Sequence, residues 1–376
     1  MRKQAEVVII GGGIIGCAIA YFLRKAQVSV IVLERDEIGG RASRAAAGLV
    51  APLGPLSGPG PFADLVLAGF ALLPSLLGEL EELSGIATGF ARTGALRVVR
   101  NPKRVAHLQK RLHAWRPLRL QMTWLTGEEA RRYEPHLTVD ISAAIYAPEE
   151  AQLDTPRFVQ AFAQSAQKLG AQLYPHEEVT EIITSNTKVV GVRTRNRETF
   201  VCGHLIIASG AWAATWNTFL HTTLPIRPLH GQLLALPQFS PPLRHIIFGE
   251  AIYLAPRGQT IIVGATKEDR GFETPVTEEG ITWLKTGAAR LVPAVASSPI
   301  DRAWAGLRPK TADSHPIFDR LPGWKNVVIA GGHNSVGIIL SGITGQEVAQ
   351  MLITGHTPAL LHPFSLNRFH KAGGHT

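Results

Sequence analysis

The strongest apolar pattern lies near the start of the chain. Val7-Val8-Ile9-Ile10 is an unbroken apolar run after Glu6, and glycines follow at 11, 12, 13 and 16. A mostly apolar segment then reaches Leu23, and a second strand-like run, Val28 to Leu33, ends at Glu34. The order is strand, glycine turn, helix, strand, acid. Further along, residues 62–83 carry helical spacing, with Pro74 expected to kink or divide them. Ala95–Val99 reads as a strand, and Asn101-Pro102 opens a basic amphipathic helix to about Arg116. Thr126 and Asp154 have the setting of N-caps, the second starting a helix to Leu169.

The second half changes character. Val189–Val192 is strand-like, and Leu205–Ala208 is fully apolar before Ser209-Gly210, the signature of an inner parallel strand meeting a ligand. From Pro225 to Arg302 short alternating runs recur between turns, which predicts an antiparallel sheet and hence a second domain. Asn326–Ala330 is another buried strand, followed by a glycine-containing loop and a helix from about Ser341 to Leu352. The loop 52–61, rich in proline and glycine, is expected to be mobile.

The glycines give the first segment its chemistry. A pyrophosphate needs bare backbone and a helix N-terminus. Gly11 suits the tight turn, Gly13 the approach to phosphate and Gly16 close packing of helix on strand. Glu34, at the end of the second strand, is placed to accept from a ribose diol. Ser43 follows in a run of small residues and can donate to a phosphate. These residues predict a dinucleotide and leave NAD and FAD equally open.

Composition narrows the class. With 376 residues, 45% hydrophobic and 18% charged, the chain is a globular protein long enough for two interleaved domains. Two cysteines, Cys17 and Cys202, offer no disulfide framework or metal spacing, and a cytoplasmic location is expected. The net charge of +9 comes from scattered basic residues, densest between Arg97 and Arg119, without the aromatic interleaving of a single-strand binder. No nucleic-acid partner is expected. The glycines interrupt the N-terminal apolar stretch and argue against a signal peptide or a span.

Nine segments in order resemble the glycine and D-amino acid oxidase family of flavoproteins, in particular its glycine oxidases of thiamine biosynthesis. They include GGGIIG (11–16), ERDEIGGRASRAAAGLVAP (34–52), TGEEARRYEPHL (126–137) and LDTPRFVQAF (153–162). IIASGAW (206–212), RPLHGQLLAL (227–236), WAGLRPKTAD (304–313) and AGGHNSVGIILSGITGQ (330–346) continue the match, and LEELSGI (80–86) completes it. The resemblance implies FAD, held non-covalently, and an α/β (α+β) two-domain fold. A discontinuous Rossmann-like FAD-binding domain would comprise 1–85, 140–225 and 303–370. A substrate domain on a large antiparallel sheet would comprise 86–139 and 226–302.

Carried over by position, Ile14 and Ile15 would lie at the pyrophosphate, and Glu34 and Arg35 at the adenosine ribose. Ala42, Ser43, Ala47, Gly48 and Leu49 would line the phosphates and flavin, with Val179 at the adenine. Gly210, Trp212 and Gly306 belong to the same expected cofactor set. So do the residues of the last loop and helix start, His333, Asn334, Ser335, Val336, Gly337, Ile338 and Ile339, where backbone N–H groups would face the flavin. Arg308 would grip a substrate carboxylate and Tyr253 would bond the same group. No metal is implied.

The implied reaction is removal of hydride from an amine's Cα to flavin N5, followed by hydrolysis of the imine and return of electrons to O2 or another acceptor. The substrate would be glycine, sarcosine or a small D-amino acid. Two departures stand out: Ser335 and Val336 occupy positions where glycine oxidases typically carry arginine and asparagine. Two further readings of this resemblance are a membrane-associated D-amino acid dehydrogenase passing electrons to a quinone or partner, and a tRNA-modifying flavin oxidase. A homo-oligomer is left open.

Overall fold

The computed structural model describes residues 3–369. The expected domain limits at residues 1 and 370 lie outside the described residues. The strand Lys3–Ile10 is the centre of an eight-stranded sheet. On one side it pairs in parallel with Val30–Leu33, which in turn pairs with Gln172–Tyr174. On the other it pairs in parallel with Thr199–Ile207, which continues to Val327–Gly331. Strand order therefore reverses at Lys3–Ile10, and the crevice beyond its C-terminal end is where open sheets of this kind bind ligands. An antiparallel meander, Val179–Ser185 and Lys188–Thr194, extends the sheet from Thr199–Ile207.

The fingerprint helix, Ile14–Lys25, packs between the helices Thr155–Lys168 and Gly337–Thr354. Its closeness to the sheet follows from Gly16: a Cβ there would stand 1.9 Å from Gly11 O. The helix Pro61–Ser84 runs unbroken through Pro74, contrary to the expected division. Pro74 sits on the exposed face, while residues before and after it pack against the closing helix. Gly69 approaches Ile339 O and Gly342 approaches Leu76, so close contact on both sides of the proline outweighs one lost backbone bond. Among the described residues this helix alone is long and apolar enough to cross a membrane, and its apolar face is spent on the core.

A second eight-stranded sheet carries the other half. Its order begins with Arg302–Thr311, Ile226–Pro237, Thr260–Gly264 and Tyr253–Arg257. It ends with Ile246–Phe248, Ala95–Val99, Ala143–Ala147 and Thr123–Thr126. All pairs are antiparallel except Ile246–Phe248 with Ala95–Val99. Two expected boundaries move. Ala143–Ala147 and Arg302–Thr311 both belong to this sheet, although the sequence placed 140–225 and 303–370 with the cofactor domain. Their apolar runs do not reveal which sheet they join; long-range pairing decides it.

Both predicted caps form. Thr126 makes a reciprocal capping box with Glu129, and Asp154 accepts from Arg157 N–H. The last helix starts at Gly337, four residues earlier than its pattern suggested. The loop 52–61 is tied down by Glu150 and the basic helix Val105–Trp115. Leu53 and Leu56 are buried, Leu53 N–H donates to Glu150, and Trp115 Nε1 donates to Leu56 O at 2.8 Å.

Candidate active site

The two sheets enclose a cavity of about 1000 Å³, at the upper end of the usual range for ligand sites. Of the candidate cofactor and substrate residues read from the sequence, all but Gly16 line it. At one end are the fingerprint turn, Glu34, Arg35 and Val179; at the other are Arg308 and Tyr253, with the loop from His333 between.

The end at the fingerprint turn is ordered in detail. Glu34 accepts Gly12 N–H through Oε2 at 2.8 Å and Asp36 N–H through Oε1 at 3.0 Å. Each oxygen retains lone-pair capacity for a diol. Ile14 N–H, expected to face a phosphate, instead donates to Ser43 Oγ at 3.0 Å. The bond fixes Ser43 over the helix start and leaves its hydroxyl proton free to donate onward, with Ile15 N–H next in line for an anion. The Arg35 guanidinium lies 3.9 Å from the Trp212 ring centre, so Trp212 shapes this end by holding an arginine flat.

Several buried polar atoms have no partner in the protein. Ser209 Oγ, Glu177 Oε2 and Asn334 Oδ1 are such atoms, and all three residues line the cavity. Orphaned groups in a dry site indicate a polar ligand. Bare backbone at Gly11 and Gly13, a helix N-terminus and these orphans fit a dinucleotide as large as FAD.

The opposite end is built on two glycines that the sequence reading missed. Arg308 lies across Gly231 of the neighbouring strand: a Cβ at Gly231 would be 2.1 Å from Arg308 Nη1. Tyr253 lies across Gly264 in the same way, with a Cβ there 2.2 Å from the phenol oxygen. Gly264 pairs with Leu233, two residues from Gly231 on the same strand, so both side chains occupy one face of the sheet. Nη1 of Arg308 donates to Thr266 O at 3.1 Å, and Nη2 and Nε have no protein acceptor among the described residues. A local glycine pattern could not have disclosed these supports, because each serves a side chain on another strand.

Electrostatics keep this pair in defined states. Burial pushes the Tyr253 phenol up to about 12, so it is a neutral donor at neutral pH. Burial lowers the Arg308 guanidinium from its ordinary value, and Tyr253 pulls the other way. Even lowered, the guanidinium remains the cation of the site. His333 is fully enclosed, and burial pulls its imidazole down to about 3. It is a neutral ring 3.1 Å from Thr344 Oγ1, a structural member of the loop. That loop hangs from the arginine strand: Asn334 N–H donates to Pro309 O at 2.8 Å.

The assembled geometry has close relatives. Residues 6–351 match the family described as FAD dependent oxidoreductase. The chain belongs to this family. Its cofactor is FAD, and it is an oxidoreductase. Among curated relatives, the family member named glycine oxidase in Geobacillus kaustophilus (strain HTA426) is 33% identical, across 98% of each chain. The solved structure of glycine oxidase from Geobacillus kaustophilus matches with a TM-score of 0.92 and 32% identity, covering 97% of this chain and 99% of that one. The hydrogen cyanide synthase subunit HcnC of Pseudomonas aeruginosa is another relative, 30% identical over 98% of this chain and 97% of its own. The mixed α/β architecture and the expected FAD-binding domain are those of the family.

Proposed function

We propose that this enzyme oxidises the Cα–N bond of a small amino acid or secondary amine such as glycine, sarcosine or a D-amino acid. The observation that carries this reading is the pair Arg308 and Tyr253, set on one sheet face over Gly231 and Gly264 and opening into the cavity that the fingerprint also lines. The free edge of the Arg308 guanidinium is a fork for a carboxylate, and the neutral Tyr253 hydroxyl donates a further bond. Two fixed contacts on the carboxylate would orient the Cα–H toward the cofactor, which is the part of catalysis left to the protein.

When bound, FAD would supply the two-electron acceptor for the Cα hydride and, with dioxygen, the route to hydrogen peroxide, while the fingerprint turn, Glu34 and Ser43 would hold its nucleotide part. The amine nitrogen keeps its substituents as the C=N bond forms, and water then releases the oxo acid and the amine. Cα needs no base as strong as a free imidazole, in keeping with a neutral, enclosed His333. We place the enzyme in the cytoplasm, consistent with two buried free thiols.

The test is anaerobic mixing of the yellow holoenzyme with glycine, sarcosine and D-alanine, followed by admission of air. Bleaching of the flavin and stoichiometric peroxide support the reading. Bleaching without peroxide assigns a dehydrogenase with another acceptor, and no bleaching by any amine rejects amine oxidation.

A further inference from the structure

Charges at the substrate end of the cavity do not all cancel. Arg97 is enclosed and held by Glu150 in a two-pronged pair at 2.6 and 2.8 Å. Arg104 pairs with Glu250. Arg111, on the basic helix Val105–Trp115, lines the same cavity and has no hydrogen bond or ion pair to any described residue. Its guanidinium is half-buried and lies 4.3 Å from the Trp115 ring centre, which restricts it to a plane. Trp115 is itself fixed by its bond to Leu56 O. Burial and the neighbouring Arg97 charge both act against the Arg111 cation, so it stands in a place that favours an incoming anion.

Arg111 is linked to the carboxylate grip by a continuous wall. Arg97 lies between Trp115 and Phe248, 5.5 and 4.7 Å from their ring centres, and the Phe248 ring is 6.1 Å from that of Tyr253. Of the arginines lining this end, removal of the two neutralised pairs leaves Arg308 and Arg111 half-buried with no ion pair among the described residues, and Lys267 exposed beyond them; Arg257, near Tyr253 but outside the lining, donates to Ala47 O.

We propose that Arg111 forms a second anion-binding subsite, so that the favoured substrates are amines bearing a second carboxylate besides the one at Arg308. Acidic D-amino acids and imino-dicarboxylates are the class. The proposal rests on the reading of Arg308 above. A guanidinium pre-stacked on an indole loses little freedom on meeting a carboxylate, and the bond forms in a partly desolvated cavity.

Binding tests it without turnover. The visible flavin spectrum of the holoenzyme is titrated with acetate, propionate and butyrate, and with malonate, succinate and glutarate. At least one diacid should bind 10-fold or more tightly than the monoacid that lacks only its second carboxylate (acetate for malonate, propionate for succinate, butyrate for glutarate), and Arg111→Gln should remove that advantage. The length that binds best reports the spacing of the two cations. Equal binding of monoacids and diacids, or an advantage that survives Arg111→Gln, overturns the proposal. If Arg308→Ala leaves monoacid binding unchanged, the carboxylate reading itself fails, whichever way the diacids behave. With substrates, the kcat/KM ratio of D-glutamate to D-glutamine should exceed 10 and fall toward 1 in Arg111→Gln; a ratio near 1 in the unaltered enzyme also overturns it.

Discussion

The guanidinium of Arg308 rests on the bare backbone of Gly231, where a single methyl group would stand 2.1 Å from Nη1. The register Leu229 with Arg308 and Gly231 with Gly306 sets this contact in the sheet itself, and the bond from Nη1 to Thr266 O holds it. Position 231 is therefore part of the proposed carboxylate grip although its own residue has no side chain.

Gly231→Ala should displace the guanidinium while leaving the nucleotide end intact. The expected outcome is a loss of about 2 kcal/mol or more in transition-state binding, roughly 30-fold in kcat/KM, with normal flavin content. Steady-state kinetics with an absorbance spectrum check both halves. Near-normal efficiency would show that Arg308 has room to move and still bind.

Arg308→Ala should be close to inactive on any amino acid and keep its flavin spectrum. Loss of a charge-assisted bidentate contact from a dry site costs roughly 2–5 kcal/mol. Retained efficiency on the best amino acid would place the carboxylate elsewhere. Arg308→Lys should recover only part, because an ammonium lacks the fork.

Glu34→Ala removes the acceptor for Gly12 N–H and Asp36 N–H as well as the proposed diol contact. FAD affinity should fall by about 1–3 kcal/mol and the protein should purify partly as apoprotein with a lower Tm. Flavin-to-protein absorbance ratio and thermal melts decide it; an unchanged ratio and melt would exclude Glu34 from the cofactor site.

His333 predicts an acid limb in stability. Its folded value of about 3 lies below the ordinary imidazole value of 6.5, so the unfolded chain binds the extra proton first. The stability tied to a neutral ring is full above about pH 6.5 and is lost as pH falls toward 3. Between pH 6.5 and 4 the loss is up to about 3 kcal/mol. Tm measured across that range should fall less steeply in His333→Gln than in the parent. Parallel slopes would show that the ring protonates without cost.

The flavin should be released into the supernatant by acid precipitation. Neither Cys17 nor Cys202 lines the cavity, and His333 is bound inward to Thr344. Flavin retained in the pellet would require a covalent link to another side chain.

What could be read from the sequence was what neighbours in the chain decide. Glu6 to Glu34 is one strand–turn–helix–strand unit, and its glycines, its acid and both distant N-caps declare themselves within a few residues. Arg308 and Tyr253 came from resemblance, and their bare supports Gly231 and Gly264 were not legible, since each acts on a residue from another strand. Arg111 is one of several basic residues on its helix in the sequence, and only Trp115 and the cavity wall set it apart. Pro74 failed as a breaker because tertiary contacts at Gly69 and Gly342, on both sides of it, hold the helix together.

The bond from Asn334 N–H to Pro309 O joins the last loop to the residue after Arg308. The strand that carries Arg308 and the loop that lines the cavity from His333 are thereby stitched together at a single peptide, one residue beyond the guanidinium.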